Sequence, residues 1–167
     1  MAKWTFEDDC LVPQGKIKIQ YRGKNPFGIV QKAGGILRRI FEIEAKDFWE
    51  RDFRWDISGE PKSFFVRNYV NKAIDLRSTI LMEITFQGIQ PSDPNKEGAL
   101  IINMGATLTT QFELKGKIQL MPFYRGLLRL YNFAFYNKVR RKYLVMCNDW
   151  VERAHIEFKN ALSLPSA

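Results

Sequence analysis

Side chains able to carry out chemistry are few in this chain of 167 residues, and they lie far apart. His155 is the only histidine, so any Ser-His-Asp or Cys-His arrangement would have to use it. It stands beside Ala154 and between Trp150 and Phe158, which predicts a core or boundary histidine rather than a catalytic base. One histidine and two separated cysteines do not supply the ligands of a usual zinc site. We therefore expect no catalytic residue and no metal.

Three carboxylates, those of Glu50, Asp52 and Asp56, would share one face of a strand if residues 45–57 are extended. Carboxylates placed in this way can act as general acids and bases. Arg54 stands among them on the same predicted face, so the pattern indicates a solvent-exposed surface of mixed charge. Neither a GxGxxG nor a Walker motif is present, and we expect no cofactor.

Basic residues lie beside aromatic residues at positions 123–125 and 136–143, in a chain of net charge +8 and pI near 9.6. Aromatic stacking together with phosphate neutralisation is how single-stranded nucleic acids are held. Lys138, Arg140, Arg141 and Lys142 form the patch predicted to meet an anionic partner. Because no RNP, KH or helix-turn-helix signature accompanies it, nucleic-acid binding is the alternative hypothesis rather than the first.

Length and composition predict one domain spanning residues 1–167, with 46% hydrophobic and 14% aromatic residues available for a core. Cys10 and Cys147 are far apart, and residues 1–9 do not resemble a secretory leader. Both features predict reduced thiols and a cytoplasmic location. No stretch approaches the ~20 apolar residues of a membrane span.

Hydrophobic periodicity predicts an α+β fold with a long antiparallel sheet. Residues 4–12 and 16–22 fit two strands, and residues 25–41 fit helix that the Gly34-Gly35 pair would divide into two short pieces. Alternation of period two then predicts long strands over residues 45–57, 63–75, 79–89 and 99–114. Consecutive long strands joined by short turns indicate an antiparallel meander.

A helical pattern begins at Pro122 and continues to about Leu162. Its apolar stripe advances by three or four positions, as one face of a helix does, through Leu128, Tyr131, Phe135, Val139, Tyr143, Met146, Trp150, Ala154 and Phe158. This stripe is predicted to lie against the sheet. Because a straight helix of that extent would span ~60 Å, we expect a kink or break near Asn132, Asn137 or Asn148.

The order of these elements resembles that of the helix-grip superfamily, which includes START lipid-transfer domains, the pollen-allergen family and polyketide cyclases. The likeness covers residues 16–162 and concerns order and length only. Six strands are legible where the family has seven, and Ser58-Gly59-Glu60-Pro61 differs from the glycine-rich loop of the allergen branch. The resemblance implies a curved sheet that grips the last helix, with an apolar cavity between them.

Large apolar side chains are therefore predicted to line a pocket for a small hydrophobic or lipid-like ligand between the sheet and the C-terminal helix. The predicted lining consists of Trp49, Phe53, Trp55, Phe64, Met82, Phe86, Met104, Phe135, Met146 and Trp150. The alternative is that these side chains simply fill a dry core. A cyclase- or hydrolase-like enzyme is the third hypothesis, which only the resemblance supports.

Residues 120–143 are apolar on nearly every side of the predicted helix. Because one sheet covers only one face of a helix, a second covering surface is expected. A two-fold homodimer is the first hypothesis for that surface. A peripheral membrane interface attracted by the basic patch is the alternative, and Arg125 and Arg129 argue against deep insertion.

Overall fold

The computed structural model describes residues 2–114 and 122–164, which form an antiparallel sheet with helices packed on one face. The strands are β1 (Ala2–Asp9), β2 (Ile17–Gly23), β3 (Phe48–Asp56), β4 (Lys62–Ala73), β5 (Ser78–Gln90) and β6 (Gly98–Leu114). The helices are α1 (Gly28–Phe41), α2 (Pro122–Tyr131) and α3 (Asn137–Ala161). This confirms the predicted α+β class with a long C-terminal helix on the sheet. Within the described ranges, no helix is long and apolar enough to cross a membrane.

The strand order across the sheet is β1-β6-β5-β4-β3, and β2 pairs with the other half of β6. β6 is 17 residues long. Its second half pairs with β1, where Asp8 lies opposite Leu108, and its first half pairs with β2, where Ile17 lies opposite Met104. β1 and β2 therefore lie end to end along one edge of β6. β3 to β6 form the predicted meander.

The hydrophobic core lies between one face of this sheet, here called the inner face, and helices α1 and α3. α3 contributes Cys147, Val151, Ala154 and Phe158, which recur every three or four residues and are completely buried. The ring of Phe158 meets the ring of Phe86 on β5, with the centroids 5.9 Å apart. Full burial of a side chain of this size stabilises the fold by about 1.5–3 kcal/mol.

α1 is one continuous helix, and the prediction of two short helices divided by the glycine pair is wrong. Gly34 faces Phe48 at the start of β3, and a Cβ atom at Gly34 would lie 3.1 Å from Phe48 Cε1. The glycine thus lets the helix pack closely on the sheet. The apolar side chains that α1 buries outweigh the cost of about 1 kcal/mol for each helical glycine.

β3 contains a bulge between Glu50 and Asp52, where its register against β4 shifts. Before the bulge Trp49 lies opposite Tyr69, on the outer face of the sheet. After the bulge Phe53 lies opposite Val66, on the inner face. Because one extra residue reverses the alternation of side chains, Trp49 does not share a face with Phe53, contrary to the simple period of two.

Cys10 and Cys147 form a disulfide, so the prediction of reduced thiols is wrong. Their Cα atoms are 5.9 Å apart although 137 residues separate them in the sequence. Cys10 follows β1 and donates its backbone N–H to Ala106 on β6, at 2.9 Å. Sequence separation says nothing about proximity in the fold, and here the fold packs the end of β1 against the middle of α3.

The regular α-helix of the C-terminal run is interrupted between Asn132 and Asn137, two of the three asparagines near which a kink or break was expected. Residues Asn132–Tyr136 form a π-helical turn that joins α2 to α3. Such a turn inserts about one extra residue and so rotates the helical faces before it relative to those after it. Tyr136 is buried as a result, whereas Val139 is 38% exposed.

Candidate functional site

Four of the predicted pocket residues lie in the centre of the core. Phe64, Met82, Phe86 and Met104 are on the inner face of the sheet and are at most 3% exposed. Phe158 of α3 packs directly on Phe86. A ligand at the middle of the sheet would have to displace these side chains.

Two further predicted residues lie at the β3 edge of the inner face. Phe53 and Trp55 surround Phe27, which precedes α1, and the Phe27 and Trp55 ring centroids are 4.6 Å apart. Phe53 remains 50% exposed. This aromatic cluster closes the edge of the core.

The remaining predicted pocket residues are separated from one another. Trp49 stacks on Tyr69 on the outer face. Trp150 packs on Phe41 of α1, and Met146 is half-buried on α3. The side chain of Phe135 lies outside the described residues.

A space between the sheet and the C-terminal helices exists at the β1 edge instead. This space, here called the β1 cleft, has a volume of about 550 Å³. Its lining residues are Trp4, Phe6, Arg129, Phe133, Asn137 and Arg140. The cleft therefore has aromatic walls and two guanidinium groups.

Regular spacing places the lining residues of each element on one side of that element. Trp4 and Phe6 alternate along β1 and lie opposite Phe112 and Thr110 of β6, on the inner face. The helical lining residues Arg129, Phe133 and Asn137 are four positions apart and so lie on one side of the helical run. Strand β1 contributes the rings of Trp4 and Phe6, and the helical run contributes the two guanidinium groups and the ring of Phe133.

A hydrogen-bond network centred on Asp75 fixes the helical run above the sheet. Tyr136 and Tyr143 both donate their hydroxyl protons to Asp75 Oδ2, at 3.1 and 3.0 Å. Asp75 Oδ1 accepts the backbone N–H groups of Arg77 and Ser78, at 2.7 and 2.6 Å. Since Tyr136 donates to Asp75, its oxygen accepts the proton of the buried Ser78 hydroxyl, 2.6 Å away.

The same network sets the charge state of its members. Burial alone would raise the pKa of Asp75, but the hydrogen bonds from Arg77, Ser78, Tyr143 and Tyr136 together hold it below its usual value. Burial, followed by the negative charge and hydrogen bond of Asp75, raises the pKa of Tyr136, although the Ser78 hydrogen bond opposes this. Burial and the Asp75 hydrogen bond also raise the pKa of Tyr143. The network contains one carboxylate and two neutral phenols at neutral pH.

The two arginines of the cleft differ in their partners. Arg140 is paired with Asp8 of β1, with Nη2 2.6 Å from Oδ1, and its guanidinium carbon lies 5.3 Å from the Phe6 ring centroid. Arg129 lies over the ring of Trp4 at 5.9 Å. None of the carboxylates whose side chains the structure describes forms an ion pair with Arg129. The β1 cleft therefore offers one guanidinium group that an anion could pair with.

A second depression, of about 530 Å³, lies on the outer face around Phe65, Gln87 and Ile101. Its charged residues are Arg54 and Asp56, which have opposite charges. The ring of Phe65 is already covered by the guanidinium groups of Arg54 and Arg67, 5.8 and 5.4 Å from its centroid. Because the two charges of its lining have opposite signs, this depression does not favour a ligand of either charge.

The carboxylates considered for acid–base chemistry are divided by the bulge in β3. Glu50 lies opposite Asn68, whereas Asp52 and Asp56 lie on the outer face opposite Arg67 and Ser63. Asp52 forms an ion pair with Arg67 at 3.5 Å. These carboxylates surround no common substrate position.

The predicted histidine and anionic-partner patch are both on α3. His155 is half-buried, with Nδ1 3.6 Å from Glu152 on the same helix. Lys138, Arg141 and Lys142 are exposed, whereas Arg140 turns to Asp8. Among the described residues, no group of three or more His, Cys, Asp or Glu side chains is placed to hold a metal ion.

Sequence reasoning did not select Trp4, Phe6, Arg129 or Phe133 as site residues. The available signal was the alternation of Trp4, Phe6 and Asp8, combined with a spacing of four between Arg129 and Phe133. Neither pattern indicates which strand lies beside which helix. Only the pairing of β1 with the far end of β6 places them together.

No protein-family model and no curated protein sequence matches the chain. Solved structures distantly similar to it include the following two. A Staphylococcus aureus protein of unknown function has 7% sequence identity and a TM-score of 0.24, with 89% of this chain and 96% of that chain covered. A point mutant of norcoclaurine synthase from Thalictrum, in complex with a transition-state analogue, has 7% identity and a TM-score of 0.21, with 91% and 98% covered. Neither likeness indicates a function.

Proposed function

We propose that the chain binds a small lipid-like molecule with an apolar body and an anionic head, between the sheet edge and the C-terminal helices. The observation that carries this proposal is the β1 cleft, where the rings of Trp4 and Phe6 adjoin the guanidinium group of Arg129, which no described carboxylate pairs with. Its volume of about 550 Å³ is in the range of small-molecule sites. Aromatic walls suit the apolar body, and guanidinium groups pair with carboxylate or phosphate oxygens.

Membership of the helix-grip superfamily belongs to the same proposal. The resemblance implies a ligand between the sheet and the last helix. In this chain, Phe86 and Phe158 fill the centre of that interface, so we place the ligand at the β1 end. Binding without turnover is the simplest version, because the described residues that line the cleft include no nucleophile and no carboxylate.

A cytoplasmic location remains a prediction, and one of its two supports has been removed. Disulfides are rare in reducing compartments, and Cys10 is bonded to Cys147. The binding proposal does not depend on the compartment.

Tryptophan fluorescence during titration with oleate tests the proposal, because Trp4 is in the cleft floor. We expect saturable quenching or enhancement that disappears in Trp4→Phe. Trp49→Phe is the matched control, since Trp49 stacks on Tyr69 on the opposite face of the sheet. A signal that Trp49→Phe removes and Trp4→Phe retains would place the ligand elsewhere.

The role of Arg129 is tested by comparing oleate with oleyl alcohol, which has the same chain and no charge. Arg129→Gln should weaken oleate binding by about tenfold, the value of one charge-assisted hydrogen bond, and leave the alcohol unaffected. Arg153→Gln is the control, because Arg153 is exposed and paired with Asp149 on α3. Equal affinity for both ligands in the unmodified chain would refute the anionic head group.

A further inference from the structure

The net positive charge of the chain is confined to one segment. Residues 114–148 contain eight lysines and arginines and no aspartate or glutamate. In the rest of the chain, 18 basic residues balance all 18 acidic residues. The formal charge of +8 is therefore the charge of this segment, which includes α2, the π-helical turn and the first turns of α3.

The same segment carries an exposed apolar ridge, here defined as Phe123, Leu127 and Leu130 of α2. Their exposed fractions are 78%, 49% and 65%. Spacings of four and three residues place them on one side of the helix. Gly126, between them, has no neighbouring atom within 4 Å of an added Cβ, which agrees with an open helix surface.

Exposed cations follow the ridge on the next turns of the helical run. Lys138, Arg141 and Lys142 are exposed, and none of them has a carboxylate partner in the described part of the chain. Lys138 is eight residues beyond Leu130, or ~12 Å along a helix. Apolar groups on α2 and cationic groups at the start of α3 thus belong to one helical run, joined by the π-helical turn.

We infer that this segment docks on an anionic lipid surface, with the apolar ridge in the acyl boundary and the cations among the head groups. An amphipathic helix with a basic surround binds membranes by this combination of burial and charge. A second copy of the chain fits less well, because a two-fold contact would bring two segments of charge +8 together. Nucleic acid fits the charge but not the exposed leucines. The inference does not require that the β1 cleft hold a ligand.

Flotation with large unilamellar vesicles tests the inference. The full chain should float with vesicles containing 30% phosphatidylserine and remain behind with pure phosphatidylcholine. Raising the salt from 0.1 to 0.5 M should reduce binding at least tenfold, since screening removes the attraction of exposed charges. Absence of flotation with the anionic vesicles at low salt would overturn the inference.

Two pairs of variants separate the roles of ridge and charge. Leu127→Ser/Leu130→Ser should lower the vesicle partition coefficient at least tenfold, whereas Ile57→Ser/Leu76→Ser should not, although these control residues are also exposed, at 71% and 106%. The midpoint of thermal unfolding should be unchanged in both double variants. The inference fails if both double variants lower binding equally.

Lys138→Gln/Arg141→Gln/Lys142→Gln should likewise lower binding at least tenfold. Its control, Lys24→Gln/Lys32→Gln/Lys96→Gln, changes three other exposed lysines and should retain more than half of the binding. Light scattering distinguishes self-association: a dimer that the leucine substitutions dissociate would assign the ridge to a second copy. Single-stranded RNA binding that persists without the leucines and vanishes without the cations, in the absence of flotation, would assign the segment to nucleic acid.

Discussion

The two halves of the C-terminal helical run are held in place by different interactions. The second half of α3 buries Cys147, Val151, Ala154 and Phe158 against the sheet and α1. Among the described side chains, the π-helical turn and the first half of α3 are held mainly by polar contacts, from Tyr136 and Tyr143 to Asp75 and from Arg140 to Asp8, together with the Tyr136 ring on Phe112. Apolar burial is worth more than a typical net hydrogen bond. The second half of α3 therefore contributes most of the stability of the helical run. The apolar side chains of α2 remain exposed and can contact a partner.

The largest expected loss of stability is in the buried second half of α3. Phe158→Ala should lower the free energy of unfolding by about 3–5 kcal/mol, because a large cavity would open against Phe86. Phe123→Ala makes the same chemical change on the exposed ridge and should cost less than about 0.5 kcal/mol. Urea unfolding followed by circular dichroism measures both. Similar losses at the two positions would abolish the distinction between the two halves.

The disulfide also strengthens the buried end. Cys147→Ser, or reduction of the unmodified chain, should lower the free energy of unfolding by about 2–4 kcal/mol, because the bridge closes a long loop. The unfolding midpoint with and without a reducing agent gives the size of the effect, and Cys147→Ser should no longer respond to the reductant. Two free thiols titrated in denaturant without reductant would show that the bridge does not form.

Substitutions in the polar network around Asp75 should lower the free energy of unfolding by a smaller amount. Tyr136→Phe removes the hydroxyl that connects Ser78 and Asp75, and we expect a loss of about 1–2 kcal/mol. Tyr21→Phe is the control, since the Tyr21 hydroxyl makes one exposed hydrogen bond to the Lys24 carbonyl oxygen. Hydrogen exchange should show faster opening of residues near α2 in Tyr136→Phe. Unchanged exchange would mean that the network does not fix the helix.

The smallest expected effect is the pH dependence of this network. The pKa of Asp75 is lower in the folded chain than its unfolded value of ~3.9. Its contribution to the free energy of unfolding is therefore present above pH ~3.9 and is lost as the pH falls through the folded pKa. The pKa values of Tyr136 and Tyr143 are raised above ~10, so their contribution is lost as the pH rises through the folded values. Asp75→Asn should cost more stability at pH 7 than at pH 3. A cost that does not vary with pH would contradict the assigned charge state.

Local patterns predicted most of the elements, because alternation and helical spacing depend only on neighbouring residues. The long strands β4, β5 and β6 and the helix after Pro122 were recognisable from the chain alone. The failures occurred where a contact distant in sequence outweighed a local preference. Gly34 belongs to a continuous helix because Phe48 packs on it, and the bulge in β3 moves Trp49 to the outer face.

The candidate site was less predictable than the fold for the same reason. The sequence predicted that a ligand would lie between the sheet and the last helix, and that prediction remains to be tested. Its proposed lining was assembled from the largest apolar residues, which are also the residues that fill cores. Met82, Phe86 and Met104 are completely buried, whereas the cleft is lined by residues of β1 and of the helical run at positions 129–140.

The sequence by itself determined the α+β class, the strand meander, the amphipathic C-terminal helix and the position of its basic residues. These follow from periodicity and charge, which are properties of a local stretch of chain. Only the tertiary structure decided that Cys10 meets Cys147, that Tyr136 reaches Asp75, and that Arg129 lies over Trp4. Each of these contacts joins residues separated by at least 61 positions. Such pairs come together because β1 pairs with the end of β6 and α3 packs back across the sheet, an arrangement set by the burial of the whole core.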